Sequence, residues 1–154
     1  MKILYIILAI IVLILIVAAI MPKRMEIEAS TTIKASKAAV WDYVKIMANQ
    51  KNYSVRVMKD PNVTLTYGGV DGTVGATQAR DSADKNVGKG EQEIIKIDEG
   101  NSYDMELRFE KPMKATNYAK TVLEDRGDGT VNVTNMFRGD TPWPMNIINL
   151  IVAP

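Results

Sequence analysis

The chain has 154 residues, 19 basic and 18 acidic, for a formal net charge of +1. It contains no histidine and no cysteine, which excludes disulfides, thiolate catalysis and cysteine-ligated metals and removes the commonest general base and the commonest transition-metal ligand. Three of the 19 basic residues, Lys2, Lys23 and Arg24, flank a single apolar run; the remaining 16 face 18 acidic residues, so there is no basic field of the kind nucleic acid requires.

That apolar run, Ile3 to Ile20, is unbroken, with Tyr5 its only polar-tipped member, and Pro22-Lys23-Arg24 ends it. A helix of about 19 residues at ~1.5 Å rise covers close to the ~30 Å of a bilayer's hydrocarbon core. Residues 1–24 are therefore expected to be a transmembrane anchor, touching lipid through residues 3–21. A secretory signal cut after Ala19 is the alternative, but its apolar core would exceed the usual ~7–15 residues. A buried core helix fits poorly, because a run apolar on every face offers no side to water. Lys23 and Arg24 outweigh Lys2 and tip the positive-inside bias towards a cytoplasmic domain on a single-pass membrane protein.

Residues 25–154 make one domain of ordinary size. Met25 to Lys34 alternates, with Met25, Ile27, Ala29, Thr31 and Ile33 on one face, and predicts a half-buried strand. Ser36 is placed as an N-cap for a helix over Ala38 to Met47, with Val40, Val44 and Met47 on its apolar stripe beside Trp41 and Ala48. A second short helical turn falls in Asn49 to Tyr53. Ser54 to Met58, Val63 to Tyr67, Thr73 to Arg80, Val87 to Asp98, Ser102 to Phe109, Lys114 to Glu124 and Thr130 to Arg138 are read as strands, separated by turn residues such as Gly68-Gly69, Asp71-Gly72 and Asp125-Arg126-Gly127-Asp128-Gly129. Met145 to Val152 starts like a helix. Strands in succession with helices kept to the ends indicate an α+β domain built on one curved antiparallel sheet.

This order resembles the START-like, or helix-grip, superfamily, which includes polyketide cyclase-like and lipid-transfer proteins. The resemblance rests on Ala35-Ser36-Lys37-Ala38-Ala39-Val40-Trp41-Asp42-Tyr43-Val44 as first helix, and on Gly72-Thr73-Val74-Gly75-Ala76 with Val87-Gly88-Lys89-Gly90-Glu91 as central hairpin. Leu107-Arg108-Phe109-Glu110-Lys111-Pro112 and Pro142-Trp143-Pro144-Met145-Asn146 are its later landmarks. The family ends in a long helix lying in the grip of the sheet. Here about two turns of it fit, so the C-terminal helix is expected to be incomplete and the sheet to expose apolar surface, the usual mark of an interaction site.

Candidate chemistry is sparse. Glu91 and Glu93 share a strand face and suit acid–base work, against the blander reading of a solvated face. The glycines around Gly72 and Gly88 lack the Lys-Ser/Thr ending of a phosphate loop. Arg80, Arg108 and Arg138 lie on separate strands and would hold an anionic head group if they met. Trp41 reads as core, whereas Trp143, between two prolines, is a candidate for contact with ligand or headgroups. Asn52, Asn62 and Asn132 open glycosylation triplets too short to weigh.

The leading expectation is a membrane-anchored domain that binds a hydrophobic or amphipathic, lipid-like small molecule without covalent chemistry and without a cofactor or metal. Met105, Leu107, Phe109, Tyr118, Phe137 and Met145 are expected to line its inner wall. A polyketide cyclase-like enzyme, and a membrane-tethered module whose open sheet face is covered by a protein partner, are the alternatives.

Overall fold

A computed structural model describes residues 2–111 and 114–148. Its contacts divide the chain into two units, Met1–Ile27 with Arg138–Pro154, and Glu28–Phe137.

In the first unit the apolar run forms helix α1, Lys2–Ile20. Among the described residues it is the one helix long and apolar enough to cross a membrane. Its side chains are exposed on every side; only Ala18 is buried. The last carbonyls of a helix lack intrahelical partners, and here a side chain supplies one. Asn146 Nδ2 donates to the Ala18 carbonyl at 2.7 Å and to the Met21 carbonyl at 3.0 Å. Thr141 N–H donates to the Lys23 carbonyl at 2.7 Å, and Arg24 pairs with Asp140 at 3.3 Å. The segment expected to open a helix at Met145 is a 3-10 turn, Met145–Ile148. The rest of that expected helix lies outside the described residues.

The strands are β1 (Arg24–Ile33), β2 (Thr64–Gly68), β3 (Thr77–Asp81), β4 (Lys89–Asp98), β5 (Ser102–Lys111), β6 (Ala115–Asp125) and β7 (Val131–Asp140). They form one curved antiparallel sheet in the order β1-β7-β6-β5-β4-β3-β2. The α+β helix-grip architecture expected from the sequence is therefore present. β1 keeps its alternation only as far as Met25 and Ile27; Ala29, Thr31 and Ile33 are exposed. β1 is an edge strand, and a period of two marks a face without supplying anything to cover it.

Within the second unit, Ser36 caps helix α2 (Lys37–Val44) by accepting from Ala39 N–H at 3.3 Å. A 3-10 helix follows over Met47–Asn52. The Asp71 carboxylate accepts from Met47 N–H at 2.8 Å and Ala48 N–H at 3.0 Å, a charged cap at that helix's start. Ser54 to Met58 is not a strand. Ser54 N–H bonds to the Gln50 carbonyl and Met58 N–H to the Ser54 carbonyl, and Val55–Met58 is a single turn of helix, α3. Two valines two apart fit either period when the run is this short. Thr73 to Gly75 likewise stays outside β3, because Gly75 turns the chain with φ of +87°, a conformation that glycine adopts without steric cost.

The core joins Val40 and Trp41 of α2, with Met47, to Ile94, Tyr103, Met105, Leu123, Val131 and Val133 of the sheet. Trp41 meets Tyr103 edge-on at 6.2 Å between ring centres. Its indole N–H donates to Glu99 at 2.7 Å, so the buried ring leaves no donor unpaired. That bond, then Lys45 at 3.2 Å, holds the Glu99 carboxyl below the usual carboxylate range.

Candidate ligand-binding face

β5 sets the site because its alternation sorts apolar from charged side chains. Tyr103, Met105, Leu107 and Phe109 share one face. Register places Ile94 and Ala119 beside Met105, Gln92 and Asn117 beside Leu107, and Gly90 and Ala115 beside Phe109. The helices cover this face unevenly. Tyr103 and Met105 are buried in the core, whereas Leu107, Phe109, Ala115 and Asn117 are only half-buried. The result is an apolar surface that starts under α2 and opens towards Phe109.

A buried amide chain runs along its floor. Gln92 Nε2 donates to Gln50 Oε1 at 2.6 Å and to Gln78 Oε1 at 2.7 Å. Gln78 Nε2 donates in turn to the Met47 carbonyl at 3.0 Å and to the Tyr67 hydroxyl at 3.3 Å. Three side chains from two strands and the 3-10 helix thus satisfy one another where water is excluded, as buried polar groups must.

At the open end, Arg80, Gly90 and Phe109 stand in one row across β3, β4 and β5. Gly90 has no side chain, so Arg80 reaches over it and lies 5.2 Å from the centre of the Phe109 ring. Arg56 of α3 lies 5.6 Å from the same centre. Burial holds the Arg80 guanidinium below its usual range, and Arg56 pushes it further the same way. Arg80 Nε donates to the Val87 carbonyl at 3.2 Å.

The other face of the sheet is charged. Arg108 bonds to Glu91, to Glu106 at 2.7 Å and to Glu93 at 2.9 Å. These three carboxylates raise the guanidinium pKa above its usual value. An open depression of about 400 Å³ lies on this face beside Thr66, Ala79, Glu91 and Arg108. Glu91 and Glu93 are thus both ion-paired with one guanidinium on a solvated surface, the blander of the two sequence readings.

The expected wall residues are only partly brought together. Met105, Leu107 and Phe109 line one face. Phe137 joins them, by alternation from Val133 in the core and from Asn135, which accepts from Thr121 at 2.7 Å. Tyr118 does not. It pairs with Glu106 across β5 and β6, on the charged face, and is 38% exposed. The error is one of strand phase, since a shift of one residue reverses every side chain. Met145 lies in the first unit, on the 3-10 turn. The three arginines do not meet either, because Arg80 and Arg108 occupy opposite faces. Trp41 is core, as expected; Trp143 is half exposed in the first unit, with its N–H 3.5 Å from the Leu15 carbonyl. Sequence reasoning missed Arg56 and the three glutamines. Gln92 stands two residues from Ile94 in the strand read over Val87 to Asp98, which was the available signal; nothing in the sequence places Arg56 near Phe109.

A seven-stranded antiparallel sheet with helices packed on it is the fold of the START-like class. The chain matches the family model described as polyketide cyclase / dehydrase and lipid transport over residues 24–153. It belongs to that family. Among solved structures, norcoclaurine synthase from Thalictrum flavum is similar at 11% identity and a TM-score of 0.66, over 90% of this chain and 82% of that one. A protein from Thermobifida fusca is similar at 15% identity and 0.61, over 83% and 82%, and Ara h 8.0201 at 15% and 0.56, over 83% and 87%. Likeness at these identities establishes the fold alone. No functionally curated sequence matches the chain.

Proposed function

We propose that this chain is a membrane-anchored START-like domain that binds a hydrophobic or amphipathic small molecule non-covalently. One observation carries the proposal: Met105, Leu107 and Phe109 form a continuous apolar row that is buried at one end and half-exposed at the other. Such a surface gains roughly 25 cal/mol for each Å² of apolar area a ligand covers, so a contact of about 200 Å² is worth on the order of 5 kcal/mol before ordering costs. The lipid-transport name of the family supports a lipid-like ligand. The length and uniform apolarity of α1 support an anchor that supplies lipid contact through residues 3–21.

Native mass spectrometry and lipid extraction of the full chain test this. A copurified hydrophobic molecule, lost when Leu107 is changed to Asp, is the expected result. A chain that carries nothing and takes up no apolar ligand overturns it.

The family's cyclase and dehydrase name supports a second reading, a polyketide cyclase-like enzyme. It requires turnover that disappears in Glu91→Gln or Glu93→Gln, although both carboxylates are engaged by Arg108. A protein partner covering the open face is the remaining alternative and predicts a stable protein complex in place of a copurified small molecule.

A further inference from the structure

We infer that Arg56 and Arg80 form the head-group seat of this site, and that its ligand is an anionic amphiphile whose carboxylate or phosphate lies between the two guanidiniums while its chain runs over Phe109 and Leu107. The inference rests on the ligand-binding reading above and specifies the class of ligand.

The geometry supplies the reason. Two guanidiniums lie within 6 Å of one ring centre, at 5.2 and 5.6 Å. Like charges this close repel, and the ring's negative face offsets only part of that cost. Other cations of the sheet and α2 are matched by carboxylates, Arg108 by three and Lys45 and Lys89 by two each, while Lys37 and Arg126, which bond to neutral side chains, are at exposed sites. Among the described residues neither Arg56 nor Arg80 makes an ion pair, nor does either have an interaction beyond those stated. Arg80 is half-buried and on the apolar face, where an unmatched charge is costly. It spends Nε on the Val87 carbonyl, which leaves both terminal nitrogens of its fork to donate to an oxyanion. A planar fork suits carboxylate and phosphate alike.

The row Arg80–Gly90–Phe109 fixes the seat at the open end of the apolar surface, and Leu107 and Met105 continue that surface inwards along β5. Charge outside and hydrocarbon inside is the polarity of a single-chain amphiphile. A neutral lipid would leave the guanidiniums unmatched, and a small inorganic anion would leave the apolar row uncovered.

The test uses the full chain in nanodiscs, titrated calorimetrically with decanoate, decyl phosphate, 1-decanol and inorganic phosphate against empty nanodiscs. Decanoate and decyl phosphate are expected to bind at least tenfold more tightly than 1-decanol, and inorganic phosphate not to bind at millimolar concentration. The stronger of the two anions tells a fatty-acid-like head from a phospholipid-like one. Arg56→Gln, at an exposed position on α3, is expected to weaken both anions several-fold and leave 1-decanol unchanged. Arg80→Met should abolish the preference, and Arg80→Lys should keep part of it, which separates lost charge from lost folding. Equal binding of decanoate and 1-decanol by the unaltered chain overturns this inference while leaving the ligand-binding reading standing. So does phosphate binding as tightly as decyl phosphate. Failure of all four probes overturns both.

Discussion

Gln92 and Gln78 face each other across β4 and β3, and the amide of one donates to the carbonyl oxygen of the other at 2.7 Å inside the core. Gln92 also holds Gln50, so one side chain anchors the 3-10 helix to the sheet. Changing Gln92 to Leu keeps the approximate volume and leaves two buried carbonyl oxygens without their donor. Each unpaired group costs about 1–3 kcal/mol, so a loss of roughly 2 kcal/mol or more is expected. Urea denaturation of the variant measures it.

Gly90 is tight for a different reason from the turn glycines. A Cβ there would stand 2.6 Å from the Arg108 carbonyl oxygen and 3.2 Å from Phe109 Cα, both backbone atoms that cannot rotate away. Gly90→Ala is expected to destabilise by about 1–3 kcal/mol, the usual range for overpacking, and to displace Arg80 from the Phe109 ring. Thermal melting reads the first effect. Loss of any preference for anionic ligands reads the second.

Asp71 caps the 3-10 helix with both carboxylate oxygens. Asp71→Ala removes two charge-assisted bonds at a helix start and should cost about 1–2 kcal/mol. Because Met47 belongs to the core, amide exchange is expected to accelerate at Met47 and Ala48 before it does in the sheet. Uniform exchange across both elements would contradict the cap's local role.

Tyr103 is buried and donates to the Val44 carbonyl at 3.1 Å. Burial raises its pKa above the ordinary phenol value, since the charged form is the one penalised. A folded pKa above the unfolded one means the contribution is complete below about pH 10 and is lost as pH rises from there through the folded value. Stability is therefore expected to fall more steeply above pH 10 in the unaltered chain than in Tyr103→Phe. Denaturation midpoints collected from pH 8 to 11.5 check the slope.

Asn146 ties the Pro142–Ile148 segment to the end of α1 through the Ala18 and Met21 carbonyls. Asn146→Ala is expected to expose that helix end, and limited proteolysis near Met21 should quicken several-fold with no change in the melting of residues 28–137.

Much of this was legible in the chain. The apolar run from Ile3 to Ile20, the Ser36 cap and the strict alternation from Ser102 to Phe109 are local signals, set by side chains a few residues apart. Local sterics and hydrophobic period fix such elements, and the resemblance in Ala35 to Val44 brought the fold with them. The site was legible only in part. Met105, Leu107 and Phe109 fall on one face, as expected, because one strand's pattern carries them. Tyr118 was misassigned because the face of β6 depends on its register with β5, which no residue of β6 announces. Ser54 to Met58 was misread because five residues cannot display a period.

Sequence alone determined the longer helices and strands and which side chains along a strand travel together, because those follow from covalent geometry and spacing. Only the tertiary structure decided what stands opposite what. Three strands in register bring Arg80 across Gly90 to Phe109, and a one-turn helix 24 residues earlier brings Arg56 to the same ring. Proximity of that kind is a property of strand register and helix docking. It is paid out over the whole sheet, and no local stretch of the chain contains it.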